Sequence, residues 1–406
     1  MRRIHWRRGL ALLGASLALL ACAAVPAGAA EAGTGGAGGE SEAVAPGNTP
    51  FDRQGMWIWY VSKSEGGSVP AMIARAKAAG IGTVYIKSGD GGDVWSQFNR
   101  QLIGRLKRGG LDVCAWQFVY GDRPAAEAQV AAASIARGAD CFVIDAEADY
   151  EGKYAAADLY MRKLRAAAGA AYPIGLAGFP YVDYHPSYPY SVFFGPGGAT
   201  FNTPQMYWKT IGVTVREVFE HTYLYNRIWG HPIYPLGQTY EQPGNAQLMQ
   251  FRRYSASHGG VAPNWWDWQE TSGREWGALA ARSALKPVVG YRPTTEHPLL
   301  KKGARGDMVV WAQQHLNSAG HEVPVTGIFG KMTRAAVRDF QEEKGMRVDG
   351  QIGTETWRAL LAYDPEPVRW SARVSASAAG RAKPATRPLS AKLPAKAYEI
   401  PPGPRH

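Results

Sequence analysis

The stretch CFVIDAEADYEGKYAAADLYMRKLRAAAG, residues 141–169, joins a short apolar run to a longer amphipathic one. The short run has the length and near-continuous apolar character of a buried strand, whereas the longer run has helical spacing. The same alternation recurs between residues 51 and 283 and gives eight strand candidates, mostly followed by helices. Eight such units favour an α/β fold of the (β/α)8 TIM-barrel type over an open doubly wound sheet. No Gly-x-Gly-x-x-Gly turn follows the first strand candidate, which counts against a dinucleotide-binding fold.

The composition is that of a folded chain with an excess of basic residues. The 406 residues are 46% hydrophobic and only 19% charged, which excludes a disordered chain and predicts more than one domain. The formal net charge of +11 predicts an anionic partner. Nucleic acid and an anionic cell wall are the two candidates.

The N-terminus decides between these partners. MRRIHWRRG is basic, LALLGASLALLACAAVPA is apolar, and small residues follow. This order predicts a signal peptide over residues 1–30 that is removed on export, so we expect a secreted, wall-associated protein without a nucleic-acid partner. A twin-arginine route through Arg7 and Arg8 and a lipid anchor at Cys22, in the lipobox-like LLAC, stay open as alternatives. No other segment is apolar and long enough to span a membrane.

Two cysteines remain after this cleavage. Cys114 and Cys141 lie in apolar runs that we interpret as neighbouring strands. Export permits a disulfide between them, and two buried thiols are at least as good an interpretation, so their state stays open. Neither cysteine has the spacing of a metal site, and no metal or organic cofactor is predicted.

Residues 299–363 are predicted to form a second domain, after a Pro-punctuated linker over residues 284–298. The domain repeats itself, because GIFGKMTRAAVRDF, from Gly327, is answered by GQIGTETWRALL, from Gly350. Each half opens a helix with Gly-x-apolar-Gly-x-x-Thr, where glycine permits a tight turn and threonine can meet free backbone groups. Three short amphipathic helices predict a small all-α domain.

This second domain resembles the type-1 peptidoglycan-binding module along its whole length. The resemblance rests on VTGIFGKMTRAAVRDFQ, on VDGQIGTETWRAL, and on the spaced residues Gly303, Gly306, Val309, Gln313, Leu316, Gly320 and Gly345. It implies that the domain binds peptidoglycan, and a helical bundle with another partner is the alternative. The flanking segments differ in composition. Residues 364–406 are predicted to form a disordered basic tail, and residues 31–50 a flexible linker.

The stretch that defines the barrel also carries the candidate catalytic residues. In TIM-type barrels the active site lies at the C-terminal ends of the strands, and VIDAE ends the fourth strand candidate. Side chains two apart share a face, so Asp145 and Glu147 are predicted to enter the barrel mouth while Ile144 and Ala146 face the helices. Two nearby carboxylates can raise one pKa, as a general acid at a glycosidic bond needs. The acidic start of a loop is the alternative interpretation.

Other strand ends carry side chains that suit a sugar cleft. Amides and hydroxyls bind sugar hydroxyls, and flat aromatic rings cover apolar sugar faces. The residues predicted to contact substrate are Trp59, Lys87, Asp149, Gln205, Tyr207, Gln238 and Trp268. Asp267 has the opposite parity from Trp268, so we expect it to lie away from the mouth.

Residues 55–281 resemble glycoside hydrolase barrels, nearest to family-25 lysozymes, whose fourth strand carries Asp-x-Glu as VIDAE does here. They are also similar to family-18 chitinases, in which Asp-x-Glu works with a tyrosine on a later strand, a role that Tyr207 could take. The resemblance implies cleavage of an N-acetylated glycan, with Asp145 orienting the 2-acetamido group and Glu147 as general acid and base. Family-25 enzymes also have an Asp on the first strand, and MWIWYVS offers none.

The sequence therefore predicts a secreted, monomeric hydrolase of cell-wall glycan, of the lysozyme or glucosaminidase kind, held on peptidoglycan by its C-terminal domain. The missing first-strand Asp favours an alternative, a non-catalytic wall-binding protein whose barrel binds glycan. A hydrolase of another polysaccharide, with the wall module as its anchor, is the third hypothesis.

Overall fold

The structure, a computed structural model, describes residues 49–259, 262–281 and 286–379. The predicted signal peptide with Cys22, most of the predicted linker before the barrel, and the predicted tail after Ala379 lie outside these residues. Within the described ranges, no helix is long and apolar enough to cross a membrane.

The first domain is a barrel of parallel strands. The described residues contain nine strands of one sheet, which are β1 (Gly55–Ile58), β2 (Thr83–Asp90), β3 (Asp93–Val94), β4 (Asp112–Val119), β5 (Cys141–Ala146), β6 (Ile174–Ala177), β7 (Phe201–Asn202), β8 (Leu236–Gln238) and β9 (Asn264–Trp266). Eight of them pair in the order β7-β6-β5-β4-β2-β1-β9-β8, and β3 is a hairpin partner of β2. Parallel bridges from Asn202 to Ile233 and from Gln205 to Leu236 join the two ends of this order. The predicted (β/α)8 barrel is confirmed.

Helices cover the outside of the ring. They are α1 (Val69–Ala78), α2 (Arg100–Arg108), α3 (Pro124–Ala136), α4 (Tyr154–Ala168), α5 (Tyr190–Phe193), α6 (Trp208–Ile211), α7 (Val215–Asn226), α8 (Asn245–Ser257) and α9 (Gly273–Ala280). Local sequence sets several of their starts. The Asn99 side chain caps α2, and Thr214 with Glu217 forms a capping box at α7. The Tyr- and Pro-rich connection between β6 and β7 holds a turn of 3-10 helix (Val182–Tyr184) and the short α5 in place of a full helix, as its irregular sequence predicts.

The strand β5 is buried on both faces, which fixes the direction of its side chains. Ile144 and Ala146 pack in the outer core against the helices, whereas Cys141 and Val143 belong to a separate inner cluster. Asp145 has the parity of the inner residues, as predicted. Cys141 lies opposite Cys114 of β4, and the two form a disulfide. Of the two states that the sequence leaves open, the structure has the bonded one.

The second domain consists of α10 (Asp307–Ser318), α11 (Lys331–Glu343) and α12 (Thr354–Leu360), which confirms the small all-α fold. Its internal repeat has one structural cause. Gln313 accepts a hydrogen bond from the Gly327 N–H at 3.0 Å and donates to the Thr333 hydroxyl at 3.0 Å. Gln341 makes the equivalent pair of bonds in the second half. Each glutamine therefore holds the glycine turn against the start of the next helix.

The two domains share a buried interface, formed on the barrel side by the Tyr- and Pro-rich connection between β6 and β7 and by the turn that follows α7. Asp307, at the start of α10, accepts hydrogen bonds from the Ser191 N–H at 2.8 Å and from its hydroxyl at 2.5 Å. Trp311, one turn later, donates its indole N–H to the Ile228 carbonyl at 2.5 Å, and its ring centroid lies 5.4 Å from that of Trp229. The C-terminal domain is thus docked on the barrel.

Residues 364–379 correct the predicted start of the disordered tail. They contain α13 (Ala372–Ala378), which packs on α4. The Ser375 hydroxyl accepts a hydrogen bond from the Ala155 N–H at 3.1 Å, and the ring of Trp370 lies 4.7 Å from that of Tyr154. Composition averaged over the whole tail hides one tryptophan and one short Ser/Ala run, whose partners are distant in sequence.

Candidate active site

A cavity of about 850 Å³, here called the cleft, opens at the carboxyl ends of the barrel strands. Parallel strands end at the same edge of a barrel, so their terminal side chains converge there. The cleft is rich in acids, which are Asp90, Asp93, Asp145, Glu147, Asp149, Asp267 and Glu270. Aromatic rings are still more numerous, and they are Trp57, Trp59, Tyr60, Trp95, Trp116, Phe118, Tyr120, Tyr207, Tyr240 and Trp266.

Asp145 and Glu147 lie side by side where β5 ends. One amide joins them, because Gln205 Nε2 donates to Asp145 Oδ1 and to Glu147 Oε1, each at 3.0 Å. Asp145 is 6% exposed and Glu147 is partly buried. The structure thus brings together the two acids and the glutamine that the sequence analysis selects from separate strands.

Burial dominates the acidity of this pair. It raises the pKa of Glu147 to about 7, with the hydrogen bond from Gln205 lowering that pKa and the charge of Asp149 raising it. Burial, followed by the charge of Glu147, raises the pKa of Asp145 well above its ordinary value, while Lys87 acts in the opposite direction. The pair therefore holds a proton near neutral pH. A carboxyl group in that state can protonate a ligand bound in the cleft.

Lys87 lies on the inner face of β2 and is only 1% exposed. Its Nζ lies 2.6 Å from Asp90 Oδ2, and 4.2, 4.5 and 5.0 Å from the ring centroids of Trp59, Trp95 and Trp116. Burial lowers the pKa of Lys87, and the bond to Asp90 opposes this. One carboxylate and three indoles thus hold the ammonium, an arrangement called here the lysine cage.

Most of the predicted substrate contacts line the cleft, namely Trp59, Lys87, Asp149, Gln205 and Tyr207. Gln238 and Trp268 do not, and both predictions are corrected. Gln238 is wholly buried, and its Oε1 accepts a hydrogen bond from the Lys209 N–H at 2.7 Å, next to the start of α6. Trp268 is buried with its ring centroid 4.9 Å from that of Trp276 in α9, so it is part of the core.

Asp267 lines the cleft, although the parity argument placed it elsewhere. It is 1% exposed, and burial, assisted by the charge of Glu270, raises its pKa to about 8. The strand β9 ends at Trp266, so the alternation of side chains on which the prediction relied stops before Asp267.

Asp90 is a second cleft residue that the sequence analysis missed. The pairing of β2 with β4 shifts between Lys87 and Gly89, and Asp90 then lies opposite Phe118. A bulge of this kind changes which face the following residues take. An acidic residue directly after the strand candidate TVYIKSG was the available signal.

The C-terminal domain matches a known family. Residues 305–360 match the family described as a putative peptidoglycan binding domain. The chain is 40% identical over 85 residues to an uncharacterized protein in the bpoA1 3'region of Kitasatospora aureofaciens, which covers 20% of this chain and 70% of that protein. It is 42% identical over 67 residues to the spore cortex-lytic enzyme of Halalkalibacterium halodurans, which covers 15% of this chain and only 20% of that enzyme.

Among solved structures, the chain is similar to the β-mannanase from Streptomyces thermolilacinus. The two share 18% sequence identity and a TM-score of 0.41, over 57% of this chain and 90% of the mannanase. The family assignment rests on the match to the Kitasatospora protein and on the match of residues 305–360. The chain therefore belongs to one family with the Kitasatospora protein, and its C-terminal helical domain belongs to the putative peptidoglycan binding domain family.

Proposed function

We propose that this chain is an exported, wall-associated glycosidase that cleaves the N-acetylated glycan of peptidoglycan. The observation that carries the proposal is the pair Asp145 and Glu147, joined by Gln205 inside a cleft large enough for sugar units. A peptidoglycan-binding domain in the same chain supports the choice of polymer. Holding the barrel at its polymer would raise the local substrate concentration.

The geometry supports a substrate-assisted mechanism. Glu147, protonated near neutral pH, would give its proton to the leaving glycosidic oxygen while the carbonyl oxygen of the sugar's own 2-acetamido group attacks the anomeric carbon. Asp145 would accept a hydrogen bond from the acetamido nitrogen and so hold that group in place. The Glu147 carboxylate would then take a proton from water as the water opens the cyclic intermediate, which restores the acid.

The test uses isolated cell walls and the full chain. We expect wild-type protein to release reducing ends, and Glu147→Gln to lower the rate at least about 100-fold, because general acid catalysis contributes about 10²–10⁴-fold. Glu151→Gln is the matched control, since Glu151 is held by His185 and Ser187 and does not line the cleft. Absence of release by the wild type would refute the glycosidase, and equal rates for wild type and Glu147→Gln would refute the role of Glu147.

One observation favours a second candidate, a wall-binding protein without activity. The end of β1 presents Trp57 and Trp59 to the cleft, where the resemblance to family-25 lysozymes calls for a carboxylate. Aromatic side chains there suit sugar binding more than proton transfer. The same wall assay separates the two candidates.

A further inference from the structure

Two tyrosines form part of the cleft wall and contact each other. Tyr207 and Tyr240 both line the cleft, and their ring centroids lie 5.5 Å apart with an interplanar angle of 86°. Tyr207 is buried and Tyr240 is partly buried. Gln205, which binds both acids of the proposed pair, lies two residues before Tyr207 in the chain. The two rings, called here the tyrosine pair, therefore belong to the same part of the cleft as the acids.

Gln238 fixes the first of these tyrosines through the helix that follows it. Tyr207 occupies the N-cap position of α6, where Ser, Thr, Asp or Asn usually accepts a hydrogen bond from the free N–H groups of the first turn. Here the acceptor comes from β8, because Gln238 Oε1 accepts hydrogen bonds from the Lys209 N–H at 2.7 Å and from the Thr210 N–H at 3.3 Å. The wholly buried Gln238 thus caps α6 from another strand and fixes Tyr207 to the end of β8.

The same glutamine also holds the second tyrosine. Gln238 Nε2 donates to the Thr210 hydroxyl and to the Tyr240 carbonyl, each at 3.4 Å. The Thr210 hydroxyl in turn lies 2.5 Å from the Tyr240 hydroxyl. Tyr240 is therefore held at its backbone by Gln238 and at the tip of its ring by Thr210. One buried side chain links the two members of the tyrosine pair.

The backbone after Tyr240 is a second sign that this loop is held in place. Glu241 and Gln242 have φ angles of 58° and 49°, in the left-handed region that residues with a side chain rarely adopt. Such conformations persist only where the surrounding structure imposes them, and they cluster at functional sites. Lys209 supplies the contacts, since its Nζ donates to the carbonyls of Glu241 and Gln242. The start of α6 and the loop after β8 are thus joined at several points.

We infer that Gln238 is a positioning residue for the glycan. By holding the tyrosine pair in one arrangement, it fixes the wall against which the N-acetylated sugar beside Asp145 and Glu147 is oriented. The inference rests on the proposed function, because it takes the ligand of the cleft to be wall glycan. Gln238 acts without touching that ligand, since its side chain is buried behind the two rings that it holds.

The first experiment needs no ligand. A fluorotyrosine replaces Tyr240 in the full chain, and its fluorine resonance is recorded in the wild type and in Gln238→Met. Methionine keeps the length of the side chain and removes its hydrogen bonds. We expect one narrow resonance in the wild type and a broadened or divided resonance in Gln238→Met, because the released ring samples more than one position.

Gln341→Met is the matched control. Gln341 is a buried glutamine of the C-terminal domain, and its Oε1 also accepts two backbone hydrogen bonds, from Asp349 at 3.1 Å and from Gly350 at 2.8 Å. Each substitution leaves two backbone N–H groups without their acceptor, so both should lower the urea midpoint of unfolding. Only Gln238→Met should change the fluorine resonance at position 240.

The second experiment measures the binding of a tetramer of N-acetylglucosamine, through quenching of tryptophan fluorescence, and its cleavage, by mass spectrometry. We expect Gln238→Met to weaken binding about tenfold, because the ligand must then order two free side chains. We expect kcat/KM to fall about 100-fold, the effect of a misplacement of about 1 Å at a reacting sugar. Gln341→Met should stay within about twofold of the wild type in both. A merely structural role for Gln238 would lower the urea midpoint and leave both quantities unchanged.

A second variant decides the question if Gln238→Met does not fold. Thr210→Val removes the hydroxyl that binds Tyr240 and changes only a partly buried position, so it should broaden the same resonance. An unchanged resonance in the variant that folds would overturn the inference, and so would a changed resonance with unchanged sugar binding.

Failure of the proposed function would look different. A wild type that binds the tetramer without cleaving it would refute only the glycosidase, since the binding constants still test Gln238. A wild type that neither binds the tetramer nor releases reducing ends from walls would refute glycan as the ligand, and the fluorine resonance would then show by itself whether Gln238 holds the tyrosine pair. A cleft that cleaves the tetramer equally well with Gln238→Met would refute only the positioning role.

Discussion

Trp311 offers a direct test of whether the C-terminal domain is docked on the barrel. The side chain belongs to α10 but is only 2% exposed, because the barrel covers it. Its indole N–H donates to the Ile228 carbonyl, and its ring packs against that of Trp229. A domain joined only by a linker would leave such a residue in water. We therefore expect Trp311→Ala to destabilise the whole chain.

The magnitude follows from the contacts. Replacing a buried tryptophan by alanine costs about 3–5 kcal/mol, because packing is lost and a cavity remains. The substitution also leaves the Ile228 carbonyl without its donor, a loss of about 1–3 kcal/mol if water does not replace it. We expect Trp311→Ala to lower the free energy of unfolding by about 4 kcal/mol. Trp311→Phe keeps a ring beside Trp229 and loses the N–H, so it should cost about 1 kcal/mol.

Urea denaturation followed by circular dichroism measures these differences. Met332→Ala is the control in the same domain, because Met332 is 62% exposed and its loss should change stability by less than about 0.5 kcal/mol. The docked arrangement also predicts that Trp311→Ala makes residues 286–306 more sensitive to protease. If Trp311→Ala destabilised the chain no more than Met332→Ala, the interface would not hold the domains together.

Two further predictions concern the cleft and the disulfide. Since the pKa of Glu147 is about 7, its acid form is lost above that pH, and kcat/KM on wall glycan should fall as pH rises through about 7. Asp149→Asn removes a charge that raises this pKa, so the fall should move to lower pH, and an unmoved pH profile would contradict the assignment. The disulfide between Cys114 and Cys141 closes a separation of 27 residues, so the double Cys→Ala variant should lose about 3–4 kcal/mol of unfolding free energy. Addition of a reductant to the unfolding experiment should produce no further loss in that variant.

The sequence predicts the barrel and the acid pair well because both depend on local patterns. A strand covered on both faces has a nearly continuous apolar run, and alternation then sends Asp145 inward and Ile144 outward. The repeat in the C-terminal domain is equally local, since each glutamine binds a turn fewer than fifteen residues away. Patterns of this length involve residues close in sequence, so the sequence alone is enough to predict them.

The alternation of side chains along a strand no longer predicts which face a residue takes where the strand is irregular or has ended. Asp90 reaches the cleft because a bulge follows Lys87, and Asp267 reaches it because β9 has already ended. Hydrogen-bond register between strands decides both events, and a single strand's sequence does not contain that register. The prediction that Gln238 contacts substrate is wrong for a different reason. Its side-chain oxygen accepts hydrogen bonds from the backbone N–H groups of Lys209 and Thr210 in α6, which hold the side chain in the interior.

Whole-chain charge misleads at the cleft because it averages over surfaces with different partners. The net charge of +11 predicts attraction to an anionic wall, and that prediction concerns the exterior. At the barrel mouth the sign reverses, because strands that are distant in sequence bring their terminal acids together. The charge of the whole chain therefore does not predict the charge of the ligand that the cleft binds.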